Sequence, residues 1–165
     1  MPAFINYMYP INFIGSIKRL ENTTFHLQRA NIPAISGSAV TVPTASNPIR
    51  AGYDKLEYHE MSWSFLVDEN LDNYTEIFNW MHGIAFPQES EQYFGDNTDF
   101  DKKLKSDISV LIQNSSKNTI AKFTFIDSFP TLLGDLNFDT TASESIPLIA
   151  DVTFNYNYYE IERYT

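Results

Sequence analysis

The chain has 165 residues, a formal net charge of -10 and no cysteine, which suits one domain that buries a core without disulfides, thiolate metal sites or a cysteine nucleophile. Its acidity argues against a grip on nucleic acid, because phosphate is repelled. An aromatic content of 15%, with 13 Phe and 10 Tyr, favours sheet, where flat rings pack across strands.

Residues 1–11 hold two prolines and no clean period, and read as an extended arm. They carry no basic residue ahead of their apolar part, so they make a poor signal peptide. No apolar run reaches about 18 residues, so no helical membrane span is expected. Residues 12–18 read as a first strand with Phe13 and Ile17 inward, residues 20–23 as a turn, and residues 24–29 as a strand with Phe25 and Leu27 on one face.

Residues 34–54 change texture: small side chains, Pro43 and Pro48, Gly37 and Gly52, and few large apolar groups. A loop of this length without its own core is usually functional or disordered. Ala39, Thr41 and Ala45 flank turn residues, which suits a short hairpin arm. Such an arm buries little on its own subunit, so we expect it to dock on a neighbouring molecule through Gly37, Val40, Val42, Pro43, Pro48 and Arg50.

The organising stretch is residues 56–83. Alternation over residues 58–65 puts Met61, Trp63 and Phe65 on the buried face of a long strand. The pattern breaks at Asp68. Tyr74, Ile77, Phe78 and Met81 then fall at helical spacing and form one stripe. Asp68 or Asn70 is expected to cap this helix and Gly83 to end it in a left-handed conformation. No second helical stripe is present.

Residues 84–105 are irregular. Asp96, Asp99 and Asp101 fail the EF-hand spacing, so a solvated acidic loop is the better account. Residues 107–113 form a strand with Ile108, Val110 and Ile112 inward, and residues 114–118 (NSSKN) a turn. Residues 119–125 return with Ala121, Phe123 and Phe125 inward, completing a hairpin. Phe129-Pro130 is expected to break that strand. Residues 149–161 read as one last strand of roughly 40 Å, with Ala150, Val152, Phe154, Tyr156 and Tyr158 on one face. An edge of this length needs a cover, and pairing with another copy in a closed ring supplies one.

Chemistry is not legible. His26, His59 and His82 have no metal-ligand spacing; His26 and His59 suit half-buried strand positions, and His82 the helix end. No nucleophile-elbow, phosphate-loop or dinucleotide motif occurs. Glu57 and Glu60 face opposite ways on a strand, a poor acid–base pair. Trp63 and Trp80 suit a core better than a sugar platform. We expect no enzyme, cofactor or metal.

A set of short segments is more specific together than singly: Asn31-Ile32-Pro33, Asp54-Lys55-Leu56-Glu57-Tyr58, residues 65–71 (FLVDENL), Asn73-Tyr74 and Ile77-Phe78-Asn79-Trp80. They continue in Ser106-Asp107, residues 123–130 (FTFIDSFP), Leu136-Asn137-Phe138-Asp139, residues 152–156 (VTFNY) and Tyr158-Tyr159-Glu160-Ile161. Through them the chain resembles the tail tube proteins of contractile-tailed, T-even-like bacteriophages over residues 12–162. The N-terminal residues and residues 95–103 match nothing in that pattern.

The resemblance implies a single domain over residues 1–165, mainly β: a two-sheet antiparallel barrel or sandwich with one short helix, its strands completing a barrel between subunits. It implies six copies closing a ring, and rings stacking into a tube within a sheath, similar in plan to the type VI secretion tube. A tape-measure protein fills the lumen before DNA transits without specific binding; baseplate and tail-terminator proteins are further partners, with no membrane. The place is the virion tail, assembled in the host cytoplasm. Six copies at -10 each carry -60, and Glu57, Asp99, Asp101, Asp139 and Asp151 are the expected lumen acids. The main expectation is a repeating tube subunit. The alternatives are an initiator or terminator ring at the baseplate or head end, or, more distantly, a soluble β-sandwich binding module.

Overall fold

A computed structural model describes residues 12–20, 25–44, 47–52, 55–85, 104–141 and 146–164. The expectations for residues 1–11 and 21–23, and for Asp96, Asp99 and Asp101, fall outside these.

The order of elements is β1 (Phe13–Ile17), a 3-10 turn (Lys18–Leu20), β2 (His26–Ala30), β3 (Ile35–Gly37), β4 (Val40–Val42) and β5 (Ile49–Ala51). There follow β6 (Leu56–Tyr58), β7 (Met61–Leu66), α1 (Asp72–Ala85), β8 (Ser106–Gln113), β9 (Thr119–Leu133), β10 (Ile149–Asn155) and β11 (Tyr158–Arg163). All pairings are antiparallel. One sheet runs β1-β8-β9-β11 and the other β9-β10-β7-β2. The long strand β9 belongs to both: residues 121–126 pair with β11 and residues 129–133 with β10.

The crossing is made by a kink. Asp127 takes a left-handed φ of 54°, a conformation that Asp tolerates better than most residues. Ser128 is fully buried, and its hydroxyl donates to the Phe125 carbonyl at 3.2 Å. The neighbouring segment of the same chain bends at the same place, between β10 and β11. Asn157 donates its amide to the Ile126 carbonyl at 3.1 Å and its side-chain NH2 to the Asp127 carboxylate at 2.7 Å. The expected single strand over residues 149–161 is therefore two strands on two sheets. The break reverses the facing: Tyr156 is buried, Tyr158 points out, and Tyr159 packs against the core instead.

Phe129-Pro130 does not end β9, contrary to the sequence expectation. Residues 129–133 pair only with β10 among the described residues, and proline is tolerated where one edge of a strand has no partner. The expected long strand, with its alternation over residues 58–65, is likewise divided. β6 pairs with β3, outside the main sheets, and β7 carries the alternation alone.

The core lies between the sheets. Met61, Trp63 and Phe65 of β7 meet Ala150, Val152 and Phe154 of β10, Ile108 and Val110 of β8, Ile17 and Phe125, all buried. The rings interlock edge to face, with Trp63 5.5 Å from Phe154 and Phe25 5.4 Å from Phe65. The β8–β9 hairpin turns as NSSKN chemistry requires: the Asn114 side-chain oxygen accepts from the amides of Ser116 (2.9 Å) and Asn118 (3.0 Å), and Lys117 is left-handed.

Helix α1 closes one side of the sandwich with Ile77 and Trp80, and Tyr74 and Met81 are partly buried against the core. Phe78, expected in the same stripe, is 46% exposed. Neither expected cap holds. The helix is entered through a turn with Leu71 left-handed (φ 61°), the Thr75 amide donating to the Leu71 carbonyl. Buried Asn73 ties that entry to β7, donating to the Leu66 carbonyl at 2.8 Å and accepting from the Asp68 amide at 3.3 Å. α1 continues through Gly83, which is not left-handed.

Gly15 in β1 is a packing requirement. A Cβ there would lie 2.5 Å from Leu27 Cδ1 and 2.8 Å from Trp63 Cη2. Gly15→Ala is expected to cost about 1–3 kcal/mol by overpacking, read as a lower urea midpoint. Adding Leu27→Ala should cost less in that background than in the native one, because the second change removes the contact with Leu27 and leaves only that with Trp63.

Candidate assembly surfaces

Of the surfaces left without partners, three bear on assembly; the outer edges of β1 and β11 are also unpaired among the described residues. The first is a pair of strand edges. β2 pairs only with β7, and residues 129–133 of β9 only with β10, so the sheet β9-β10-β7-β2 has two free edges among the described residues. Unpaired edges invite pairing with another chain. Beside the β9 edge, α1 makes an apolar groove lined by Tyr74, Phe78, Met81, His82, Ala85, Thr131, Leu132 and Leu133. Leu132 is 59% exposed there, and His82 stacks on Phe78 at 4.3 Å.

The second surface is a ribbon. β4 pairs with β5 and β3 with β6, both outside the two main sheets. Its strands expose Ile35, Val40, Val42, Ile49 and Leu56. Gly37, Val40, Val42, Pro43, Pro48 and Arg50 all lie exposed on it. The ribbon is fastened at its root. The Asn31 side-chain oxygen accepts from the Ser62 amide at 2.6 Å, and the His59 amide donates to the Ala34 carbonyl at 3.1 Å. Ser36 Oγ and His59 Nε2 are 3.2 Å apart. Beneath the root, Tyr58 packs edge-on against Tyr159 (5.7 Å) and Tyr156 (6.1 Å). His59 lies between β6 and β7, and both it and His26 are exposed rather than half-buried.

The third surface is the polar face of the β9-β10-β7-β2 sheet. Asp151 of β10 accepts a hydrogen bond from the Ser64 hydroxyl of β7 at 2.5 Å. Ser62 and Thr153 are register partners beside them. Of the other expected acids, Glu57 is exposed on the ribbon and Asp139 on the loop after β9, so the structure does not gather them with Asp151. Asp99 and Asp101 lie outside the described residues.

No group of three His, Asp or Glu among the described residues is placed to hold a metal ion, and no described helix is long and apolar enough to cross a membrane. Trp63 and Trp80 are core residues; the Trp80 indole N–H donates to the Leu104 carbonyl at 2.7 Å, and Arg19 stacks over its ring at 5.8 Å.

Sequence reasoning missed Asn157, Asp127 and Asn73, which hold the corner and the helix entry. The Asn in Tyr156-Asn157-Tyr158 was a readable signal, since Asn is depleted inside strands.

The Tyr156 hydroxyl donates to the His59 carbonyl at 2.8 Å. Burial, with Tyr159 and Tyr58 alongside, pushes its pKa up from 10 to about 12. The fold thus favours the neutral phenol. That stability is complete below pH 10 and is lost as pH rises towards 12. Denaturation across this window should show a falling midpoint that Tyr156→Phe flattens. The variant should also lose about 0.5–1.5 kcal/mol at neutral pH with the hydrogen bond.

The sequence model of the family described as phage tail tube protein matches residues 5–162. A curated relative, the tail tube terminator protein of Enterobacteria phage T4, is 24% identical over 99% of this chain and 93% of its own length. Two solved structures of similar fold come from an extracellular contractile injection system, PVC. Its sheath/tube terminator gives a TM-score of 0.70 at 16% identity, covering 97% of this chain and 99% of that one. Its sheath-tube complex gives 0.69 at 16% identity, covering 96% and 93%. The tube-terminating cap of the anti-feeding prophage gives 0.68 at 17%, covering 99% and 100%.

Proposed function

Because the chain belongs to the phage tail tube protein family, we propose that it forms the ring that ends a contractile tail tube. The observation that carries this reading is the end-to-end match with the terminator of phage T4. The fold does not choose between a terminator and a repeating tube subunit, since the two kinds of PVC structure superpose equally well.

In this reading six copies close a ring by joining the β2 edge of one copy to the residue 129–133 edge of the next. A heterologous contact closes into a ring when its rotation divides a full turn. The groove between α1 and β9 receives the neighbour's flank, covering Phe78 and Leu132. The face with Asp151, Ser62, Ser64 and Thr153 lines the lumen, where an acidic polar wall lets DNA pass without sticking. The ribbon reaches the last ring of the tube, and sheath, tape-measure and baseplate proteins belong to the same assembly.

Light scattering and negative-stain images of the purified protein test this. The expected particle is a ring of six 19.0 kDa subunits, about 114 kDa, that does not lengthen with concentration and that stops elongation when added to growing tubes. Long tubes from this protein alone would sink the reading in favour of the repeating subunit. Deleting residues 37–51 should leave the subunit's circular dichroism and cooperative melt intact while abolishing its docking on tubes; normal docking would count against the ribbon.

A further inference from the structure

The ribbon leaves the sheet β9-β10-β7-β2 at one end, where β2 stops at Ala30 and β7 starts at Met61. The opposite end, where β7 stops at Leu66 and β10 starts at Ile149, carries the connection between β9 and β10. Phe138 is 76% exposed there and Ile146 74%, higher than any other large apolar side chain described. Ile149, the first residue of β10, is exposed as well.

The first part of this connection, residues 134–141, is held. The Gly134 amide donates to the Asp151 carbonyl at 2.6 Å, the Tyr74 hydroxyl to the Gly134 carbonyl at 3.1 Å, and Leu136 packs on the core. Asp139 accepts from the Thr141 amide at 2.8 Å and hydroxyl at 2.6 Å, and these bonds lower its pKa. Phe138 is therefore presented from a fastened loop. In sequence the charge about it is of one sign: between Lys122 and Arg163 there are seven carboxylates and no Lys, Arg or His. Asp139 follows Phe138 and Asp135 lies three residues before it.

We propose that this end, centred on Phe138 and Ile146 and flanked by Asp135 and Asp139, docks a protein other than the tube subunit, one offering an apolar pocket rimmed by Lys or Arg. Charge complementarity selects that partner: an acidic rim repels an acidic surface and steers a basic one. The two ends of the sheet are suited to different contacts. The ribbon end has unpaired strand edges that a chain of the same fold can extend. The loop end offers side chains alone, and apolar anchors within a charged rim are the usual form of a specific protein contact. The inference rests on the terminator reading, which requires one end of the ring to meet something that is not tube.

The test is a phage lacking its own copy of this gene, supplied with the protein in trans. Two double variants are compared with the native chain: Phe138→Ser with Ile146→Ser, and Asp135→Lys with Asp139→Lys. Each is first checked as purified protein for a native melt. Both should still be found on tails of normal length, while particles joined beyond the ring fall about ten-fold or more and free, ring-ended tails accumulate. The conservative pair Phe138→Leu with Ile146→Val should restore joining. Native numbers of joined particles with either disruptive pair would overturn the proposal, as would overlong tails, which would put this patch on the tube side. Gold labelling of the native protein along the whole tube, instead of at one end, would sink the terminator reading separately.

Discussion

The corner at Asp127 and Asn157 is the constraint on which the arrangement depends. One strand turning left-handed at a single residue passes from the first sheet to the second, and its neighbour turns with it, held by the Asn157 bond to Asp127. β9 gains β8 and β11 before the corner and β10 after it. The same turn takes β9 away from β8 and leaves residues 129–133 with a bare edge. An internal kink thus creates an external one-sided strand, and the sandwich is unable to satisfy that edge with its own described strands.

The sandwich itself is well sealed. Trp63, Phe65, Phe125 and Phe154 are fully or almost fully buried. Most exposed apolar groups lie in the groove, the ribbon and the loop end, and others line β1 and β11 (Ile14, Tyr158, Ile161). Scattered single exposures need no explanation, but exposure concentrated on edges and projections marks contact surfaces. Fastening completes the design: the ribbon root is stapled by Asn31, His59 and the tyrosine cluster, so little conformational freedom remains to be lost at the root when the tip docks.

Much of this was legible in the sequence. MSWSFL reads directly as a half-buried strand, and DISVLIQ, NSSKN and the following residues as a hairpin. The exposed ribbon lies where the small-residue stretch suggested an arm. What failed were points where tertiary context overrides a local rule. Pro130 usually stops a strand, but here one side of the strand has no partner to lose. Phe78 has the spacing of a core residue, yet α1 meets the sandwich along a stripe too narrow to cover it. The run over residues 149–161 alternates from Ala150 to Tyr158, and the corner is betrayed by Asn157 and by the Tyr158-Tyr159 doublet, where the alternation changes phase. Gly83 reads as a helix stop, but nothing in its surroundings forces the left-handed turn that would make it one. The edges and grooves escape sequence reasoning because they are defined by what the fold omits to cover.

The one-signed stretch between Lys122 and Arg163 has a consequence for how copies come together. It helps bring each copy to a net charge of -10, so whole subunits repel as they approach, although the β2 edge that meets β9 in the proposed ring carries His26 and Arg29 and no carboxylate. Backbone pairing is short-ranged, whereas this repulsion extends over the Debye length, roughly 30 Å in 0.01 M salt but about 8 Å at physiological strength. In the proposed assembly, dissolved ions therefore tune encounter: dilute buffer slows it, and physiological salt speeds it.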